Sequence, residues 1–255
     1  MYDLLFRFSK KLKKNQIIKR LSEITKNKIS SGYYKSTYIN TYDHRGQDLP
    51  SQLLGIYEYQ VQKKIVELQK KKKFKYIINF GSADGFHILG LIKNNFFKKG
   101  IAFEIDLNTR NRLIKNIKKN NLVNKIKVCE KANFEELQKI ISTNDLKKSL
   151  FLVDIEGEEF NLFSKKNLKY FINSHLIIEN HEVFLKRKEK IKKFYKILKK
   201  YFKIEKLIHA SKNPFIIKEI EGLNEDEKWL SMSECRPRSQ NWLVCYPINH
   251  GKIFI

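Results

Sequence analysis

Cysteine, proline and glycine are scarce in this sequence, and each shortage excludes a class of protein. The three cysteines form no C-x-x-C pair and leave an odd number, so neither a disulfide framework nor a zinc site is indicated. They are Cys129, Cys235 and Cys245, and a reducing cytoplasm is the expected location. Four prolines and ten glycines in 255 residues argue against a fibrous or disordered chain, while 42% hydrophobic residues are enough for a sizeable core.

Long apolar runs are also missing. No run approaches the roughly 18–20 residues that a membrane-spanning helix needs. Residues 1–14 carry their apolar part before their charges, which is not the order found in a signal peptide. The sequence therefore predicts neither a membrane span nor a signal peptide.

Acidic residues are outnumbered, because 27 of them stand against 52 lysines and arginines, and the formal net charge is +25. A surplus of this size is typical of proteins that bind nucleic acid, an anionic membrane or an acidic glycan. The competing interpretation is a set of solvated helix faces in a protein whose lysine content reflects an AT-rich genome. We favour this second interpretation, since lysine greatly outnumbers arginine and many lysines lie on the polar faces of predicted helices.

Residues 1–50 are predicted to form an N-terminal extension made of a helix and a loop. Over 4–24, apolar residues approximate one helical face with lysines opposite, and they are Leu4, Leu5, Phe8, Leu12, Ile17, Ile18 and Leu21. We expect this helix to cap the domain. The alternative is peripheral contact with an anionic membrane, at its inner face. Residues 28–50 read as an ordered loop rich in Tyr, Ser and Thr.

Strands and helices alternate from residue 51 onwards, which is typical of an α/β domain with a mostly parallel sheet. A helix with Ser51 as its N-cap is predicted over 51–69. Five apolar runs predict strands, at 74–80, 101–105, 126–130, 149–154 and 175–180. Further helices are predicted at 86–97 and 108–121, after Asn133, and at 158–172 and 186–201.

The C-terminal part of the 51–255 domain changes character. Residues 202–210 and 241–248 read as two further strands, joined by an insertion at about 210–240 in which Asn224 precedes three acids and so starts a helix. Strands joined by a loop instead of a helical crossover pair antiparallel. The predicted fold is Rossmann-like α/β, with a mostly parallel sheet, an antiparallel last strand and helices on both faces.

A glycine turn after the first predicted strand marks a candidate nucleotide site. The turn runs Asn79-Phe-Gly81-Ser82-Ala-Asp-Gly85, and Glu104 ends the next strand, 23 residues after Gly81. Glycine lets the backbone turn sharply and lets a ligand approach closely, and a carboxylate can accept both ribose hydroxyls of an adenosine. Because the turn is neither G-x-G-x-x-G nor a Walker motif, a nucleoside without phosphates is favoured over NAD or ATP.

Acidic residues gather where the fourth and fifth predicted strands end. Asp154 and Glu156 follow the fourth strand, and Glu179 and His181 follow the fifth. Ligands in open α/β sheets bind beyond the carboxyl ends of the strands, so these are the candidate catalytic residues, as a general base, a divalent-cation site, or both. Asp154 and Glu179 are the candidate Mg²⁺ ligands. Two further acids are interpreted only as helix-start residues: Glu158 and Glu159.

Five other residues are weaker candidates for this site. His87 starts a helix beside the glycine turn, where it either contacts the substrate or cofactor or serves packing at the helix start. Arg236 and Arg238 are arginines in a lysine-dominated protein, and they either bind an acidic group of a substrate or simply lie in a surface loop. Tyr57 and Glu58 lie on the helix that leads into the first strand, and we expect them on the far side of the cofactor.

The glycine turn and the acidic string after the fourth strand together resemble S-adenosylmethionine-dependent methyltransferases of the FkbM type. The resemblance covers about residues 55–185 and is carried by YIINFGSADGFHILGL, AFEIDLNTRNRLIKNIKKNNL, VDIEGEEFNLF and LIIENHE. The Asp-x-Glu-Gly-x-Glu string that begins at Asp154 is the most specific part, in combination with the glycine turn upstream.

The resemblance implies a seven-stranded methyltransferase sheet with its last strand antiparallel between its neighbours. It also implies methyl transfer from S-adenosylmethionine to a hydroxyl group, and the acceptor expected is a small molecule such as a sugar of a surface glycan or its precursor. The residues expected around the cofactor are Asn79, Gly81, Ser82, Gly85, Glu104, Ile105 and Asp154. Asn79 stands where the family usually has an acid, so an aspartate restored there is expected to tighten cofactor binding. Leu107 stands near the position of a common proline.

Two other functions stay open at this point. An RNA acceptor is favoured by the basic composition, although the sequence contains no separate RNA-binding module and no Asn-Pro-Pro-Tyr-like motif. A membrane-surface or scaffold protein that keeps the fold and has lost turnover is favoured by Asn79 and by the helix over 4–24.

Overall fold

The structure, a computed structural model, describes most of the chain. The described residues are 2–40, 42, 48–168, 170–186, 188–208, 210, 212–234, 236, 238 and 240–248, with the backbone alone at 2–4, 7, 165 and 166. Parts of the predicted loop over 28–50, of the strand over 202–210 and of the insertion, together with Cys235, therefore lie outside the described residues.

Seven strands form one sheet. They are β1 (Tyr76–Phe80), β2 (Lys99–Phe103), β3 (Ile126–Cys129), β4 (Ser149–Val153), β5 (His175–Asn180), β6 (Phe202–Leu207) and β7 (Asn241–Pro247). Their order is β3-β2-β1-β4-β5-β7-β6. The first five strands run parallel, and β7 runs antiparallel to both of its neighbours, β5 and β6. The predicted fold class is confirmed, including the place of the antiparallel strand.

Helices cover both faces of this sheet. They are α1 (Tyr2–Thr25), α2 (Leu49–Leu53), α3 (Tyr59–Lys72), α4 (Phe86–Lys93), α5 (Leu107–Lys119), α6 (Phe134–Ile140), α7 (Thr143–Leu146), α8 (Glu159–Leu162), α9 (Lys165–Leu168), α10 (Lys188–Tyr201) and α11 (Glu225–Met232). Three short 3₁₀ turns lie at Glu182–Phe184, Pro214–Ile216 and Lys218–Ile220. None of the helices in the described part of the chain combines the length and the apolarity of a membrane span.

Successive strand residues fill two cores, one on each face of the sheet. Ile77 and Leu152 pack on the face that α3, α4 and α5 cover. Ile78 and Phe151 pack on the opposite face, under α6, α8 and α10. Because side chains alternate across a strand and both faces are covered, the central strands read as continuous apolar runs in the sequence.

The predicted helix over 51–69 is wrong, because the chain leaves the helical conformation after Leu53. Gly55 has φ +75° and Glu58 has φ 46°, and α3 begins only at the next residue. A side chain at Gly55 would place its Cβ 2.0 Å from the carbonyl oxygen of Ser31, so the break is fixed by packing against a distant loop. Ser51 lies inside α2 and is not its N-cap.

The predicted helix over 158–172 is also interrupted, between α8 and α9. α8 ends at its C-cap Phe163, and the carbonyl of Ser164 accepts the N–H groups of Asn167 and Leu168 in a new turn. Similarly, the helix predicted to reach residue 97 ends at Lys93, because Asn95 takes a left-handed conformation. Ser and Asn compete with the helical backbone for hydrogen bonds, which explains why these helices are shorter than predicted.

The first helix carries two apolar faces instead of one. Ile17 and Leu21 are buried against the domain, whereas Leu5, Phe8 and Leu12 are 58%, 61% and 49% exposed. At about 100° per residue, the two groups lie on nearly opposite sides of α1. The single apolar face predicted over 4–24 is therefore wrong, while the second half of the helix caps the domain as expected.

The turn after β1 packs directly on the backbone of the β4 end. Gly81 has φ +74°, and a Cβ at this position would lie 1.6 Å from the carbonyl oxygen of Asp154. Gly157 has a similar positive φ of +97°, but its Cβ would meet no atom within 4 Å. The two glycines thus share backbone strain and differ in available space.

We expect Gly81→Ala to lower the free energy of unfolding by at least about 3 kcal/mol, because strain and overlap add. Gly157→Ala should cost about 1 kcal/mol, because only strain remains. Urea denaturation of both variants measures the difference, and equal losses would contradict the close contact between Gly81 and β4.

Candidate active site

Three cavities open at the carboxyl ends of the parallel strands. The edge cavity has a volume of 720 Å³, and its lining includes Gly81, Glu104, Ile105, Phe134 and Tyr170. The turn cavity has 280 Å³, and its lining includes Gln52, Asn79, Gly81, Ser82 and His87. The acidic cavity has 420 Å³, and its lining includes Tyr57, Glu156, Glu179, His181 and Arg236. Asp154 is the one described residue that lines all three.

Glu104 is fixed at the tip of β2 by the backbone of the glycine turn. Its Oε2 accepts the N–H of Ala83 at 2.9 Å, and its Oε1 accepts the N–H of Asp106 at 2.9 Å. Each carboxylate oxygen can accept a second hydrogen bond. Because Glu104 also lines the edge cavity, its two oxygens can bind the paired hydroxyl groups of a ribose there.

The residues of the predicted glycine turn have different surroundings. Gly81 and Ser82 line the turn cavity, and the hydroxyl of Ser82 donates to the carbonyl of Asn79 at 3.0 Å. Gly85 does not line any of the three cavities, and a Cβ there would meet Leu89 and Leu113. Gly85 therefore serves helix packing behind the turn.

Asn79 is buried on β1 with its amide group directed at main-chain carbonyls. Its Nδ2 lies 3.4 Å from the oxygen of Leu152 and 3.5 Å from that of Gly81. An aspartate would set a carboxylate against these two acceptors, which would leave a buried charge without donors. The structure thus gives a local reason for asparagine at the position where an acid was expected.

Arg236 lies in the acidic cavity as the counter-charge of buried carboxylates. Its guanidinium group donates to the carboxylates of Glu58 and Glu179, and also to Glu234 and to Gln240, each of the latter two at 2.8 Å. Since these partners occupy most of its donors, Arg236 neutralises the protein's own acids and has little capacity left for an acidic substrate. This differs from the substrate-binding role predicted for it.

Arg238, the other predicted substrate arginine, is exposed and donates to the carbonyl of Val183 at 2.8 Å. It does not line any of the three cavities. Its predicted role stays a prediction.

Glu58 and His87 connect Arg236 to the glycine turn. His87 Nε2 lies 2.7 Å from Glu58 Oε2, and His87 Nδ1 lies 3.1 Å from the hydroxyl of Tyr34. Burial raises the pKa of Glu58, although His87 and Arg236 oppose this shift. The break between α2 and α3 is what brings Glu58 to His87.

His181 is held by an acid whose role was not predicted. Glu159 is 1% exposed, and its Oε1 lies 3.1 Å from His181 Nδ1 and also accepts the backbone N–H of His181. Burial lowers the pKa of His181, but the surrounding carboxylates, Glu159 foremost, outweigh burial and raise it. The interpretation of Glu159 as a helix-start residue is incomplete, and its place as the last acid of Asp-x-Glu-Gly-x-Glu was the only sequence signal for this contact.

Three carboxylates lie close to the other nitrogen of His181. Its Nε2 is 3.6 Å from Asp154, 3.6 Å from Glu156 and 3.4 Å from Glu179. Ligand atoms of Asp154, Glu156 and His181 lie within 4.8 Å of one another, which suits a divalent cation. This trio includes Asp154 from the predicted pair of Mg²⁺ ligands, whereas Glu179 is bound by Arg236.

Asp154 lies in surroundings that disfavour its charged form. Burial raises the pKa of Asp154 well above its ordinary value, and the carboxylates of Glu179 and Glu58 add to the shift. Its Oδ1 is buried without a hydrogen-bond partner. A carboxyl group in these surroundings holds its proton more tightly than an exposed one. Its carboxylate form is therefore a stronger base.

We expect Asp154→Asn to stabilise the protein and to raise its melting temperature by at least about 2 °C at pH 8. A carboxyl group with a raised pKa binds its proton more tightly in the folded state, so loss of that proton at higher pH destabilises the wild type. The gain should be full above the raised pKa and vanish below the ordinary pKa of aspartate. Thermal unfolding between pH 4 and pH 8 measures it.

Asp145→Asn is the matched control, because Asp145 forms an ion pair with Lys75 at 2.9 Å and does not line any of the three cavities. This control should not gain stability as pH rises. A destabilised Asp154→Asn variant at pH 8 would contradict the raised pKa.

We also expect Asn79→Asp to lower the melting temperature at pH 7, since the new carboxylate would face the two carbonyl oxygens. For the same reason it should not tighten the binding of S-adenosylhomocysteine, which reverses the expectation from the sequence. Thermal unfolding and calorimetric titration test the two parts. Tighter binding in the variant would contradict the explanation that the facing carbonyl oxygens favour asparagine at this position.

The sequence matches no protein-family model and no curated protein. Among solved structures, the chain is similar to the O-methyltransferase from Bacillus cereus in complex with S-adenosylhomocysteine, with TM-score 0.49, 12% identity, and 73% of this chain and 80% of that chain covered. It is also similar to TrmK from M. capricolum in complex with S-adenosylhomocysteine, with TM-score 0.47, 15% identity, and 74% of this chain and 68% of that chain covered. An uncharacterised protein from Listeria monocytogenes gives TM-score 0.48 and 14% identity, with 77% and 70% covered.

Proposed function

We propose that the protein is a methyltransferase that uses S-adenosylmethionine and methylates a hydroxyl group of a small acceptor. The observation that carries the proposal is the position of Asp154, which lines the edge, turn and acidic cavities at once. The first two cavities suit the adenosine and the amino-acid part of the cofactor. The third provides space for an acceptor beside them.

The donor set of the edge and turn cavities fits this cofactor. Glu104 presents two oriented carboxylate oxygens to a ribose, and Phe134 and Tyr170 supply aromatic surface for an adenine. On this proposal, Ile105 contacts the adenosine, while Ser82 and Asp154 lie along the amino-acid part. No phosphate-binding motif is needed, which agrees with a nucleoside-type ligand.

When bound, S-adenosylmethionine supplies a methyl group that passes to the hydroxyl oxygen as the C–S bond breaks and its electron pair stays on sulfur. The hydroxyl proton needs an acceptor in the acidic cavity. The carboxylate of Asp154 takes this proton, because its raised pKa makes it a better base than an ordinary carboxylate. His181, oriented by Glu159, stabilises the carboxylates around it.

Charge favours a small acceptor over RNA. The acidic cavity presents Glu156, which is 89% exposed, together with Asp154 and the largely buried Glu179. The guanidinium group of Arg236, which also lines this cavity, already binds carboxylates of the protein. A phosphate backbone would therefore be repelled at the point of transfer although the protein as a whole is basic. Tyr57 and Phe184, which also line the cavity, offer apolar surface for a sugar ring.

Membership of the FkbM type and a glycan sugar as the acceptor are part of this proposal. Its support is that the three acids of the Asp-x-Glu-Gly-x-Glu string that face His181 lie within 3.6 Å of its ring nitrogens: Asp154, Glu156 and Glu159. These three acids of the string thus all lie around the same histidine. The divalent cation and the cytoplasmic location stay predictions.

Calorimetric titration with S-adenosylhomocysteine tests the proposal. We expect the wild type to bind and Glu104→Gln to bind at least about tenfold more weakly, because a charged hydrogen bond to a ribose is worth about 1.5–3 kcal/mol. Glu136→Gln is the matched control, since Glu136 pairs with Lys139 on the exposed surface. No binding by the wild type at millimolar ligand would overturn the proposal, and unchanged binding by Glu104→Gln would overturn the pose.

A further inference from the structure

The first half of α1 exposes an apolar stripe on the side that faces away from the domain. The stripe consists of Leu5, Phe8 and Leu12, at 58%, 61% and 49% exposure. These residues follow a spacing of three and four, so they lie in one row along about two turns of the helix. We call this row the outer stripe.

The opposite side of α1 is locked onto the domain in the second half of the helix, whereas Phe6 in the first half is 68% exposed. Ile17 and Leu21 are buried, Lys14 is fully buried, and its ammonium group donates to the carbonyl of Ser233. Lys13 forms an ion pair with Glu227 of α11 at 2.7 Å. Because these contacts fix the rotation of the helix, the outer stripe cannot turn inward, and water covers it unless another surface does.

Lysines lie around the outer stripe. Lys11 is exposed on one side, and Lys19 continues the row two turns further on. Lys13, on the other side, is exposed but paired with Glu227. An apolar row between ammonium groups is complementary to an anionic bilayer, where the apolar side chains enter the acyl boundary and the lysines meet the headgroups.

We propose that α1 docks the protein on an anionic membrane surface through the outer stripe and the lysines around it. A second copy of the chain fits this surface poorly, because two lysine-flanked stripes would meet face to face in a protein of net charge +25. The contact is peripheral, since only the side chains of one helix face enter the bilayer. The inference is independent of the proposed methyl transfer.

Co-sedimentation of the full chain with vesicles tests the inference. The probes are vesicles of phosphatidylcholine alone and vesicles of phosphatidylcholine and phosphatidylglycerol in equal parts. We expect binding to the anionic vesicles at least about tenfold stronger than to the neutral ones, and weaker binding as salt is raised.

Two variants locate the contact. The triple variant Leu5→Ser, Phe8→Ser and Leu12→Ser should lose binding to anionic vesicles by at least about tenfold. Ile24→Ser is the matched control, because Ile24 is an equally exposed apolar residue of α1, at 50%, that lies off the stripe, and it should bind like the wild type. Circular dichroism and thermal unfolding establish that the triple variant keeps the fold, as expected for exposed positions.

Three results would overturn the inference. The first is equal binding to neutral and anionic vesicles. The second is wild-type binding by a folded triple variant. The third is a dimer of the wild type, measured by light scattering, that becomes a monomer in the triple variant, because the stripe would then be an interface between copies. None of these three results affects the outcome of the cofactor titration, so the two proposals can fail separately.

Discussion

One largely buried guanidinium group, that of Arg236, holds the acidic edge of the sheet together. Arg236 binds Glu58 and Glu179, which are only 4% and 3% exposed and come from the start of α3 and the end of β5. Two buried carboxylates so close to each other would repel strongly without a cation between them. The start of α3, the end of β5 and the segment before β7 are therefore joined by charge as well as by packing. Arg236 and Glu179 both line the acidic cavity.

Much of the fold was accessible from the sequence, because a strand covered on both faces has to be apolar throughout. The five parallel strands and the antiparallel β7 were predicted within a few residues of their ends. The helix breaks were not. The break before α3 depends on Gly55 meeting the carbonyl of Ser31, and no local pattern reveals a contact with a residue so far away in the chain. The two faces of α1 are likewise not apparent from the sequence, because helical spacing alone does not tell which apolar residues meet the rest of the protein.

The candidate site divides in a similar way. Glu104 and the acids after β4 and β5 could be predicted, because parallel strands bring their carboxyl ends to one edge. The partners of these groups could not. Arg236 is 57 residues from Glu179 and 178 residues from Glu58 in sequence. The reason for asparagine instead of an acid at position 79 could not be predicted either, because the sequence does not show that its side chain faces two carbonyl oxygens.

The position of β7 between β5 and β6 has a consequence for how the chain is made. While a ribosome synthesises the protein, β6 emerges before the strand that separates it from β5, so β6 has no partner strand and β5 is paired only with β4 until residues 241–247 have been released. Arg236 emerges just ahead of that strand. Closure of the sheet and neutralisation of the buried carboxylates therefore fall at the same late moment of synthesis. A nascent chain stopped before residue 236 would carry an open sheet edge next to an uncompensated acidic site, which makes it a ready target for quality control.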